Sequence, residues 1–348
     1  MKNDETKFQK ILVLQTAFLG DVIMTTPTVK AIKQVFPDAQ IDVLTIPQTA
    51  IVFKYNPNVN STLVFDKKKV LRKLINFWMI IRQLRKANYD LAFSIQGSMT
   101  SSLLLYLGNI PNRIGFARLK QKLLTEPVLH KRGLHIRKRY LYLLKPFVNN
   151  FEENSFDTQT EIFWSENESR KAGEIYSSIY EKDSLLLGIA PGSVWQTKKW
   201  PKDYFISVLK MLAKEKIKIL FFGGKEEQPL CQEIIDKSQA DALNFAGSFS
   251  VLESAALIKK IDLMITNDSA PLHIANAVQT DVIAIFGPTV KRFGCYPYRE
   301  NDTLLEVDLY CRPCGKHGGH NCPEKHFQCM KKIYPDMVYQ TIRKKLKR

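Results

Sequence analysis

Two aspartates in this sequence stand where a strand-like run gives way to a helical pattern. Asp21 follows the apolar run of ILVLQTAFLGDVIMTTP, residues 11–27, and Asp268 follows DLMIT in DLMITNDSAPLHIANA, residues 262–277. At Asp21 a carboxylate so placed can take a proton from an attacking hydroxyl, and at both positions the same letters also serve as an ordinary helix cap. The Asp21 turn has a single glycine, Gly20, expected to make the turn that presents the carboxylate. A dinucleotide fingerprint would need G-x-G-x-x-G there, which speaks against a nicotinamide-dependent oxidoreductase.

Around Asp268 the letters suit a nucleoside diphosphate. Ser269 and Ala270 are small, Pro271 falls where a first-turn proline belongs, and the free N–H groups and dipole of a helix start favour phosphate. APGSVWQTKKWP, residues 190–201, adds Lys198 and Lys199 after another strand. A lysine beside a departing diphosphate stabilises charge that grows in the transition state, although a lysine pair is also common on solvated surface. FFGGKEEQ contributes Glu226 and Glu227, placed to accept ribose hydroxyls or to complement a helix dipole. His273, one turn into its helix, fits a ligand contact or a buried structural role, and FGPT brings Thr289 to the same edge.

These residues need a scaffold that gathers strand ends. ILVLQT, IDVLTI, LAFSI and RIGF are short apolar runs separated by helical patterns such as PTVKAIKQVF, and alternation of this kind predicts a parallel sheet with right-handed crossovers. After the polar stretch NNFEENSFDTQTEIFWSENES the pattern starts again with SLLLGIAPGS, IKILFFGG, DLMITND and DVIAIFGPT. The expected organisation is an α/β, GT-B-like pair of Rossmann-like doubly wound domains, residues 1–164 and 165–330, facing across a cleft. Residues 331–348 should form a basic helix that packs back on the first domain. Ligands of such sheets bind at the carboxyl ends of the strands.

The 348 residues carry a formal charge of +17, with 24 Lys/Arg against 12 Asp/Glu up to Trp164. That excess suits an anionic partner: nucleic acid, phosphorylated lipid or an acidic sugar. A nucleic-acid-binding protein is the rival from another class, but no zinc-finger, homeodomain or RRM signature is present. The polar start and the absence of a long apolar window predict a cytoplasmic protein whose membrane contact is peripheral. Four of six cysteines, Cys311, Cys314, Cys322 and Cys329, crowd CRPCGKHGGHNCPEKHFQC. The later pair lacks the second C-x-x-C of a zinc ribbon, so reduced thiols are preferred to structural zinc.

Four stretches in order, GDVIMTTP, PGSVWQTKKWP, NDSAPLHIANA and FGPT, make the chain resemble the ADP-heptose:lipopolysaccharide heptosyltransferases. The CRPC tail is similar to that of the second heptosyltransferase. The resemblance implies inverting transfer from ADP-L-glycero-β-D-manno-heptose to the Kdo/heptose inner core of a lipid A-linked lipopolysaccharide, with no obligatory metal or cofactor. By position it makes Asp21 the general base and Lys198 the diphosphate contact. It lines the donor site with Asp268, Ser269, Ala270 and His273, and gives the ribose to Glu226 or Glu227. Ala270 stands where the family usually has glycine. The anionic acceptor would meet the basic first half, with Arg113, Lys120, Lys122, Lys131, Arg132 and Arg137 as candidates beside Gly20, at the cytoplasmic face of the inner membrane. A GT-B transferase using another nucleotide sugar for a different surface glycan is the nearer rival.

Overall fold

The computed structural model describes residues 8–66, 73–117, 123–182 and 184–346. The chain divides into two compact units, residues 1–163 and 164–348.

The first unit winds β1 (Lys10–Leu14), β2 (Gln40–Thr45), β3 (Ser61–Val64), β4 (Leu91–Ser94), β5 (Asn112–Phe116) and β6 (Glu126–Val128) into one sheet. Its order is β3-β2-β1-β4-β5-β6, and neighbouring strands run parallel. Ile11 to Leu14 are fully buried, as a central strand covered on both faces requires, and this is why β1 reads as a continuous apolar run. The winding reverses beside β1, between β1 and β4, which opens a crevice at their carboxyl ends.

The second unit repeats the path. β7 (Leu185–Ala190), β8 (Ile217–Phe221), β9 (Ala242–Asn244), β10 (Leu263–Asn267), β11 (Asp281–Ile285) and β12 (Thr303–Leu305) form a parallel sheet in the order β12-β11-β10-β7-β8-β9. Here the reversal lies between β7 and β10. The loops after β7, β8, β10 and β11, which hold the donor candidates, therefore leave one edge of one sheet.

The tail helix Pro335–Leu346 differs from its expected place on the first domain. Val338 and Ile342, one turn apart on one face, are fully buried in the second unit's core with Leu209, Leu212 and Ile283. That core lacked a cover over the helix Lys202–Leu212, and the apolar stripe of the tail supplies it. The polar stretch before the second unit is also docked: Lys30 pairs with Asp157 at 2.7 Å and Glu161 at 2.8 Å. The edge strands β3, β6 and β12 were not expected from the sequence, because each is only three or four residues long and half-exposed.

Candidate functional site

The loops at the edge of the second sheet meet on one carboxylate. Asp268, just past β10, accepts from Lys198 Nζ at 2.6 Å and from the Thr289 hydroxyl at 2.6 Å, both on its Oδ2. The Lys198 and Asp268 side chains are 12% and 8% exposed, so the pair is shielded but open enough for an incoming anion to reach the ammonium. Three expected site residues from three loops are thus in direct contact.

Two buried residues hold these loops. The Asn267 side-chain amide donates to the Pro191 carbonyl at 2.8 Å, and its carbonyl oxygen accepts the Trp200 N–H at 3.1 Å, tying the loop after β7 to the end of β10. Trp200 is 2% exposed, donates its indole N–H to the Ile333 carbonyl at 2.8 Å, and packs edge-on against Phe205. The indole is therefore an anchor that fixes Lys198 two residues earlier. Asn267 was missed in the sequence, where an amide beside a more reactive aspartate attracts no attention, yet a buried amide at a strand end must find partners.

The helix Ala270–Ala277 starts beside this cluster with Ser269 as its N-cap. The Ser269 side chain makes no capping bond to the helix, and Thr266 Oγ1 lies 3.3 Å from its oxygen. Ala270 does not have a positive φ, so the alanine costs no backbone strain where glycine was usual. His273 is 8% exposed, and burial pushes its imidazole down to about 4, aided by Lys198 and opposed by Asp268. It is a neutral imidazole at pH 7. Because this value lies below the ordinary 6.5, the unfolded chain binds the proton first as pH falls. The stability held by neutral His273 is complete above pH 6.5 and drains between about 6.5 and about 4. Thermal melts across that window should fall less steeply for His273→Asn than for the unaltered protein; equal slopes would remove His273 as a cause.

Glu226 and Glu227 are distinguished by their surroundings. Glu226 is exposed, whereas the Glu227 carboxylate accepts the Gly224 N–H at 2.8 Å and lies against Gly192 of the loop after β7. A Cβ on Gly192 would fall 1.7 Å from Glu227 Oε1. Gly192→Ala must push this carboxylate out of place and is expected to raise the donor KM about 10-fold, measured by initial rates; an unchanged KM would show that Glu227 has no part in donor binding.

In the first unit, Asp21 lies in the first turn of the short helix Leu19–Ile23, just beyond β1, and is partly exposed. Gly20 does not make the turn as expected: it is buried inside that helix, without positive φ, and the chain changes direction before it. The Thr25 hydroxyl donates to the Asp21 carbonyl at 2.9 Å and accepts the Gln15 amide at 3.1 Å, so a buried pair holds the helix in place. Of the basic candidates, Arg113 spends its guanidinium on the Leu123 and Ile110 carbonyls, and Arg137 on Thr158. Lys131 stands 3.7 Å from Glu153, and Arg132 is exposed. Lys120 and Lys122 lie outside the described residues.

The sequence profile of glycosyltransferase family 9 (heptosyltransferase) matches residues 77–326. The chain belongs to that family. Among family 9 relatives, it is 28% identical over 344 residues to lipooligosaccharide heptosyltransferase 2 of Campylobacter jejuni subsp. jejuni serotype O:6, covering 96% of this chain and 98% of that one. Its fold is shared with a Veillonella parvula glycosyl transferase of family 9, TM-score 0.87, 23% identity, 97% of each chain covered. It is shared too with the E. coli ADP-heptose lps heptosyltransferase II, TM-score 0.79, 22% identity, covering 97% of this chain and 98% of that one. The two parallel six-stranded sheets are those of the GT-B fold.

The cysteine segment of this family 9 chain holds free thiols, and among the described residues no group of three His, Cys, Asp or Glu is arranged to hold a metal ion. Cys329 is buried in the second unit's core, and that burial pushes its thiol up to about 11.

Proposed function

We propose that this protein transfers heptose with inversion from ADP-L-glycero-β-D-manno-heptose to the Kdo/heptose inner core of a lipid A-linked lipopolysaccharide. The observation that carries the donor half is the convergence of Lys198 and Thr289 on Asp268 at the carboxyl edge of the second sheet. Lys198 has three N–H donors, of which Asp268 takes one, leaving others for the diphosphate. The helix start at Ser269 and Ala270 adds main-chain donors for phosphate, and Glu227, already turned toward the loop after β7, receives the ribose. Neutral His273 lines the site without adding charge.

In the reaction an acceptor hydroxyl attacks the anomeric carbon while the bond from that carbon to the diphosphate oxygen breaks. Asp21 takes the hydroxyl proton and ADP leaves with the bonding electrons, its charge met by Lys198. The acceptor's phosphates and carboxylates suit the basic first half, where Lys131 and Arg132 remain exposed. Incubation with ADP-heptose and truncated lipid A-linked acceptors should add one heptose to an acceptor by mass; transfer only from a different nucleotide sugar would overturn the reading.

The acceptor's lipid places the work at the cytoplasmic face of the inner membrane. No helix among the described residues is long and apolar enough to cross a membrane. On the helix Lys73–Ala87, Leu74, Ile75, Trp78 and Met79 are exposed while Ile80, Ile81 and Leu84 are buried, and Arg82 and Lys86 are exposed further along. An apolar and basic face of this kind suits a peripheral contact with anionic lipid. Sedimentation with phosphatidylglycerol vesicles should capture the protein at low salt and lose Trp78→Ser first; equal capture by neutral vesicles would count against it.

A further inference from the structure

The segment 311–320 is bonded to both loops that meet at Asp268. The Arg312 side chain is 3% exposed. Its Nε donates to the Gly287 carbonyl, its Nη1 to the Val307 carbonyl, and its Nη2 to the Thr289 carbonyl at 2.8 Å and Glu306 at 2.8 Å. The Cys314 N–H donates to the Pro288 carbonyl at 3.2 Å, so three successive carbonyls of the loop carrying Thr289 are held from one side. Farther along, Gly319 accepts the Thr197 N–H at 3.0 Å and donates its own N–H to the Thr197 hydroxyl at 2.8 Å. Gly318 has φ +84°, and a Cβ there would lie 3.2 Å from the Lys198 Cγ. The segment therefore covers the stem of Lys198 and braces the main chain of Thr289.

We infer that Arg312 is a positioning residue of the donor site, holding the Gly287 and Thr289 carbonyls so that the Thr289 hydroxyl and the Lys198 ammonium meet Asp268 in the geometry that receives a nucleoside diphosphate. A planar guanidinium suits the task because its fixed donor fork reaches two carbonyls on either side of Pro288 at once, which a single ammonium cannot do. Arg312 is buried and bonded to main-chain carbonyls and Glu306, so it acts through Lys198 and Thr289, and the inference rests on the donor role of Lys198, Asp268 and Thr289.

The test uses the full chain as Arg312→Ala, Arg312→Lys and Lys198→Ala, with ADP affinity by calorimetry, steady-state rates against ADP-heptose and acceptor, and a thermal melt of each. Arg312→Ala is expected to raise the ADP Kd and the donor KM about 10-fold, with the acceptor KM unchanged. Arg312→Lys should fall between, and it carries the test if the alanine variant does not fold. A merely structural arginine would lower the melting temperature and the active fraction while leaving the donor KM where it was, and that result overturns the inference. If Lys198→Ala also leaves ADP affinity unchanged, the donor-site reading itself fails; if Lys198→Ala weakens ADP and neither Arg312 variant does, only the role of Arg312 falls.

Discussion

Replacing Asp21 by alanine is expected to lower turnover at least about 100-fold while ADP affinity stays nearly intact. The separation follows from position. Asp21 stands beyond β1 of the first unit, whereas the residues proposed to hold ADP all belong to the second. Asp21→Asn is the sharper variant, because it keeps the shape of the side chain and removes only its capacity to take a proton. Its turnover should fall as far as that of alanine, measured with a lipid A-linked acceptor at saturating ADP-heptose. Retained activity in Asp21→Asn would exclude the carboxylate as base and leave it as part of the helix start.

Lys198→Ala should weaken ADP binding by about 10- to 100-fold and also lower the melting temperature. The second effect comes from its partner. Asp268 is 7% exposed, and loss of the ammonium 2.6 Å away leaves its charge to the Thr289 hydroxyl. Breaking a shielded pair by removing one partner costs about 3–5 kcal/mol in general. Lys198→Ala with Asp268→Asn should therefore recover part of the lost stability without recovering ADP affinity. Calorimetry and a thermal melt on the same samples separate the two, and unchanged ADP affinity in Lys198→Ala would sink its diphosphate role.

The central strands were legible because a strand buried on both faces must be apolar throughout, as Ile11 to Leu14 and Leu186 to Ala190 are. The grouping of the loops proposed to take the donor was legible for a related reason. Once strands and helices alternate, the polar residues after successive strands leave the same sheet edge, so Lys198, Asp268 and Thr289 could be grouped before any distance was known. What the sequence hid was how the loops are held. Arg113 and Arg137 read simply as cations, and a sequence does not reveal which carbonyls part of a guanidinium will hold. Gly20 looked like a turn residue, because a helix can begin one residue earlier than its glycine suggests. The cysteine run drew attention to metal chemistry and away from Arg312 within it, two of whose partners lie more than 20 residues away at Gly287 and Thr289. The tail helix was assigned to the wrong unit because its stripe of Val338 and Ile342 announces burial without saying against what.

The bonds from Thr197 to Gly319 and from Trp200 to Ile333 span 122 and 133 residues of chain. During synthesis, Lys198 leaves the ribosome long before the segments that brace its loop exist. The first unit has no such wait, since its strands and the pairs made by Lys30 are complete by Glu161. The half that carries Asp21 can fold while translation continues, and the half proposed to grip ADP waits until the segment around Ile333 has been made. A chain stopped short of Ile333 would keep the carboxylate proposed as base and lose a brace of the loop proposed to hold the leaving group.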